Sequence, residues 1–202
     1  MTENLPRGGP APRTALDESV RAHLARGATR DAAEAALQTL GPAILRFMRS
    51  SLRDEALARD AFSEFSEDLL RGLRGFRGEA SLRTWAYRLA WSAVARVRDD
   101  PWRCRRQPLE HLPMSALAEQ IRMSVSSHER RALALERLRD AISFEDQSLL
   151  ALRIDQGLPW SEIAQIVGNG GADVTAVALM KRFQRLKLKL AEMLRRDGLL
   201  ED

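Results

Sequence analysis

Residues 60–90 read DAFSEFSEDLLRGLRGFRGEASLRTWAYRLA. In the first half, Phe62, Phe65, Leu69 and Leu73 recur at three- and four-residue steps, the spacing of a helix with one apolar edge. The acids Asp60, Glu64, Glu67 and Asp68 fall outside that edge, and Gly75 and Gly78 end the helix. The second half opens on Ser81, a good N-cap, and the pattern predicts a helix from about Ser81 to Val97. At ~100° per residue, Leu82, Ala86, Leu89, Ala93 and Val97 share one core-facing stripe. Thr84, Tyr87, Arg88 and Trp91 fall on the opposite side, with Trp85 and Arg96 flanking the stripe. Two physical readings of these aromatics stand side by side. They pack against a neighbouring helix or linker, or they stack on unpaired bases while arginines hold the phosphates, a sequence-tolerant contact of about 1–3 kcal/mol per base.

Working outward, residues 1–13 (MTENLPRGGPAPR) are rich in Pro and Gly without apolar periodicity and are expected to be a disordered tail. A helical pattern follows from Leu16 to Met48, broken near Gly27 and again at Gly41-Pro42, where the proline suggests a new helix start. Asp100-Pro101 ends the Ser81 helix, and residues 101–127, with Pro101, Pro108 and Pro113, read as a linker. Beyond it, helices are expected at about 128–142, 145–155, 159–167 and 174–196. The segment LPWSEIAQIVG at 158–168, a Gly168-Asn169-Gly170-Gly171 turn and the last helix form a candidate helix-turn-helix. In that last helix Leu179, Phe183, Leu186, Leu190, Met193 and Leu194 make a core stripe, leaving Lys181, Arg182, Gln184, Arg185 and Lys189 at other angles. The N-terminal part of such a helix can enter a major groove, where Arg pairs bidentately with guanine and Gln with adenine. No strand-like alternation occurs, so the fold is expected to be all-α, with small helical domains at 14–100 and 128–202.

The chain has 202 residues, 45% of them hydrophobic, and a formal charge of +4. Net charge says little about partners, but its distribution says more. From Asp54 to Asp68 six acids stand against Arg59 alone, a local −5; residues 71–106 carry ten arginines and three acids, +7; residues 178–196 carry seven bases and one acid, +6. Two separate basic surfaces suit two contacts with a polyanion, and the adjoining acidic surface suits a protein partner. There is no apolar run near membrane-span length and no secretory core, so a cytoplasmic location with no membrane partner is expected. Cys104 is the single cysteine, and His23, His111 and His128 are scattered. No metal site, cofactor, small-molecule substrate or catalytic residue is expected, because no nucleophile-base pair, ligand cluster or phosphate-binding glycine loop is present.

Residues 60–90 resemble the second conserved region of bacterial sigma factors, and LERLRDAISFEDQSLLALRIDQGLPWSEIAQIVG at 135–168 resembles their fourth. With a linker between and no first or third region, the arrangement looks like the extracytoplasmic-function type. The resemblance implies a non-enzymatic specificity subunit that binds core RNA polymerase and directs promoter recognition, DNA melting and transcription initiation. It implies that Asp60, Phe62, Glu64, Phe65, Asp68 and Leu69 lie on the helix that docks on the β′ clamp, with the β flap as a further contact and an anti-sigma protein as a further partner. Phe76 and Arg77 match a loop that helps capture a flipped base of the minus-ten element. Thr84, Trp85, Tyr87, Arg88, Trp91 and Ser92 match the helix that melts and reads it. Lys181, Arg182, Gln184 and Arg185 match the basic part of the minus-thirty-five recognition helix. Three features depart from the family pattern: Ser92 where Asn is common, Pro159 where a capping Ser is usual, and a turn at 168–180 about five residues longer than typical. Two rivals stand beside this reading: a helix-turn-helix regulator acting without polymerase, and a protein-interaction module that does not touch DNA.

Overall fold

The computed structural model describes residues 14–100, 138, 141–168 and 174–196. The expected tail at 1–13, the linker at 101–127, most of the helix expected at 128–142, the turn residues 169–173, and Cys104, His111 and His128 lie outside the described residues. Every regular element that is described is helical: α1 (Ala15–Ala25), α2 (Thr29–Leu52), α3 (Glu55–Gly72), α4 (Leu82–Asp99), α5 (Phe144–Leu150), α6 (Trp160–Val167) and α7 (Ala176–Arg196), with a 3-10 turn at Leu73–Gly75 and a π turn at Ala151–Asp155. The fold is all-α.

The helix ends follow from local chemistry. Thr14 and Asp17 form a capping box on α1, Asp54 caps α3 through Leu57 N (2.8 Å), Ser81 caps α4 through Thr84 N (3.0 Å) and Ser143 caps α5. Arg53 closes α2 in the left-handed region at φ 55°. Pro159 starts α6 with no side-chain cap. One expectation fails: α2 runs unbroken through Gly41-Pro42. A proline there forfeits a helical hydrogen bond, but Leu40, Ile44, Phe47 and Met48 on both sides of it are buried in the core. Tertiary packing outweighs the local break.

The helices α2, α3 and α4 pack on one another, with α1 against α2. Phe65, Leu69 and Leu73 of the expected α3 edge are essentially inaccessible, while Phe62 is half-buried. Buried Asp17 ties the ends of this bundle together: its Oδ1 accepts from Leu82 N (2.7 Å) and its Oδ2 from Thr14 N (2.8 Å) and Thr14 Oγ1 (2.7 Å). Thus one carboxylate caps α1 and also receives the first amide of α4. The C-terminal helices are not separate from this bundle. Helix α6 lies on α4, α5 lies on α2, and Leu149, Leu152, Leu158, Ile163 and Ile166 join the same apolar core.

Candidate nucleic-acid interface

The loop between α3 and α4 is shaped by two close approaches. A β-carbon on Gly72 would stand 2.8 Å from Trp85 Cζ2, so the absent side chain lets the indole lie against the end of α3. Gly78 takes φ +72°, a conformation L side chains rarely adopt. Phe76 then folds over Trp85, the rings 5.1 Å apart and tilted by 43°. Residues 75–80 with Trp85 and Arg88 enclose an open cavity of about 340 Å³. Phe76, Arg77, Trp85 and Arg88, four of the eight residues expected at the minus-ten site, therefore come together. The cavity combines aromatic walls, two guanidinium groups and a backbone kept slim by glycine, which is the chemistry needed to hold one planar base and its phosphate.

The other four lie elsewhere. Tyr87 and Thr84 are fully buried, at 0% and 1% exposure, rather than on an open face. Tyr87 packs edge-on to Phe47 of α2 and donates to Gln156 Oε1 (2.7 Å). Burial pushes its hydroxyl up to about 12 against the pull of Arg83 and Arg46, so it stays a neutral donor. Thr84 Oγ1 donates to Glu162 Oε2 (2.9 Å), and Arg83 donates to the Gln156 carbonyl. Trp91 stacks on Phe144 at 5.3 Å, and the Arg98 guanidinium sits 4.3 Å above that phenyl ring while reaching Glu145 (3.2 Å). Ser92 is half-buried. In this arrangement Tyr87 and Trp91 pack against neighbouring helices, Trp85 lies against Gly72 and Phe76, and Thr84 is covered as well, because α5 and α6 lie over that side of α4. Helical spacing within α4 cannot register such a second layer, and its partners Glu145, Gln156 and Glu162 stand some 47 to 78 residues away.

On α3 the acids divide. Glu64 and Asp68 are drawn to Arg96 of α4 (3.2 and 2.5 Å), and Asp68 also meets Arg71 (2.9 Å). Asp60 and Glu67 are exposed. Phe65 and Leu69 are core residues, supporting the helix from within, so a partner docking on α3 meets its acidic outer side and the half-buried Phe62.

On α7 the expected basic residues also divide. Arg182 is turned back onto the start of α5, donating to Asp146 Oδ1 (2.6 Å) and Ser143 Oγ (3.2 Å). Lys181, Gln184 and Arg185 are exposed. A shallow hollow of about 320 Å³ lies between Asp146, Arg182, Arg185, Leu186 and Lys189. Trp160 of α6 packs edge-on to Phe183 at 5.2 Å, so α6 and α7 meet as two helices of one small unit. No helix among the described residues is long and apolar enough to cross a membrane.

Residues 36–104 match the family model of Sigma-70 region 2. The matched segment begins within α2, takes in α3, the cavity-forming loop and all of α4, and leaves α5 to α7 outside it. No curated protein matches the chain.

Proposed function

We propose that the chain is a sigma factor of the extracytoplasmic-function type, which binds core RNA polymerase and directs it to open a promoter. The observation that carries this reading is the cavity of Phe76, Arg77, Trp85 and Arg88, which falls inside the segment matching Sigma-70 region 2. The match supports polymerase binding and promoter recognition as the general role, a role without bond chemistry of its own. Arg77 and Arg88 hold the backbone while the Phe76–Trp85 pair offers one aromatic wall to an unpaired base of the minus-ten element, and this capture offsets the cost of strand separation. The acidic outer side of α3, with Asp60 and Glu67 outermost, docks on the β′ clamp. The α5 to α7 unit supplies the minus-thirty-five reader, with Lys181, Gln184 and Arg185 presented and Arg182 holding α7 in place, and it meets the β flap.

The covered side of α4 belongs to this mechanism. Minus-ten and minus-thirty-five elements lie about 25 base pairs apart, roughly 85 Å at 3.4 Å per pair. Reaching both elements at once then calls for the α5 to α7 unit to part from α4 on polymerase. Parting uncovers Thr84, Tyr87 and Trp91 for the melted strand.

In vitro transcription by purified core polymerase on a genomic fragment library tests the function. Discrete start sites that require the added chain, and that share an upstream and a downstream element, are the expected result. Transcription that is indifferent to the chain, with specific duplex binding by the chain alone as a homodimer, favours the polymerase-independent regulator.

A further inference from the structure

The side of α7 turned away from its core stripe is not uniformly polar. Leu179, Phe183 and Leu186 are buried, and at ~100° per residue Val177, Lys181 and Gln184 fall on the opposite side, with Met180 on the flank beside Val177. Val177 and Met180 are 46% and 43% exposed, apolar side chains in the first two turns flanked by two long polar ones. Arg182, which the basic pattern nominates as a base reader, is engaged with Asp146 and Ser143 instead.

We propose that Val177 and Met180 are specificity-determining residues that contact thymine methyl groups in the major groove of the upstream promoter element. The inference rests on the reading of α7 as the upstream recognition helix. Its physical basis is the placement of apolar groups where a recognition helix meets base edges, at its N-terminal end. There the C5-methyl of thymine is the apolar feature of the groove, and contact with it distinguishes A·T from the other pairs. The occupant is duplex DNA and not an apolar protein surface, since Lys181 borders the patch and residues 178–196 carry a net +6. Lys181 and Gln184 then supply polar contacts beside the apolar ones, and Arg182 positions the helix.

Uracil differs from thymine by that methyl alone. With the full chain assembled on core polymerase, an upstream element is first selected from a randomised duplex, and each thymine in it is then replaced by deoxyuridine. The expected result is a loss of about fourfold in binding at one or two positions, the factor for leaving one methyl-sized group unburied. Val177→Ala and Met180→Ala should each lose the sensitivity at its own position, at unchanged helicity because both side chains are on the surface. Leu188→Ala, a control 71% exposed but two turns further along the helix, should keep it. Uracil tolerated everywhere by the unsubstituted chain, or a selected element without thymine on either strand, overturns the proposal. So do Val177 and Met180 variants that lose polymerase association and keep methyl sensitivity, which marks the patch as a protein-docking face. A chain that selects no upstream element fails at the earlier step and overturns the sigma reading itself.

Discussion

Asp17 shows how much one residue outside any functional surface can govern. Burial raises its pKa, but the amide of Leu82, the hydroxyl and amide of Thr14 and the nearby Arg21 together outweigh burial and hold the carboxyl below the ordinary 3.8. A depressed folded pKa means that the charged form stabilises the fold above the unfolded value, and that this contribution is lost as pH falls through the folded one. Asp17→Ala should therefore cost about 1–3 kcal/mol at neutral pH, from the lost caps and the orphaned Leu82 amide. The gap from the parent in denaturant melts should narrow below about pH 4; a gap constant down to pH 2 contradicts the assignment. Gly72 makes a second test. With its β-carbon 2.8 Å from Trp85 Cζ2, Gly72→Ala forces the indole to shift and should cost about 1–3 kcal/mol, despite the helix propensity gained. Trp85 emission should change with it. A more stable variant with unchanged emission contradicts the packing described.

At the scale of elements, α4 is held between two layers, and this decides how much of the site was legible in the sequence. Its inner stripe could be read: Leu82, Ala86, Ala93 and Val97 are buried as their spacing requires, and only Leu89 is merely half-buried. The Ser81 cap and the Phe65–Leu69–Leu73 edge of α3 were equally legible, because each is a local pattern. Tyr87, Thr84 and Trp91 were not, because what covers them includes Phe144 of α5, Glu162 of α6, Gln156 just after the π turn and, for Tyr87, Phe47 of α2. Pro42 misled for a similar reason, since the buried residues around it keep α2 whole. The outer layer meets α4 through polar contacts at Thr84 and Tyr87 as well as apolar ones such as Phe144 on Trp91, and among the described residues no buried side-chain nitrogen or oxygen lacks a partner. Gln156→Ala with Glu162→Ala removes the acceptor of Tyr87, at about 1–3 kcal/mol for the buried donor left unpaired, and one of the two partners of Thr84 Oγ1, which keeps Ser81 Oγ (2.8 Å). Amide exchange should quicken in α6 and the start of α4 and stay slow in α3. Exchange unchanged in α6 contradicts a latch at these contacts.

For the whole molecule, the proposed function makes the closed bundle, the acidic side of α3 and the open cavity parts of one sequence of events: docking, parting and capture. Docking has a variant that spares the ion pairs between α3 and α4, since Glu67 meets Arg71 of its own helix, at 3.8 Å. Asp68 is committed to Arg96 and Arg71, so the exposed Asp60 and Glu67 are the better pair to reverse. Asp60→Arg with Glu67→Arg should reduce co-elution with core polymerase at least tenfold at unchanged helicity, and intact co-elution moves the docking surface elsewhere. Capture is the central claim, and comparing templates tests it most directly. Initiation by core polymerase with the parent chain, Arg77→Ala or Arg88→Ala is measured on a duplex promoter and on the same promoter with a pre-melted minus-ten bubble. If these guanidinium groups hold the unpaired strand in the cavity, both variants should lose most initiation on the duplex and recover much of it on the bubble, where the cost of unpairing is already met. Equal loss on the two templates, or no loss on either, contradicts the account.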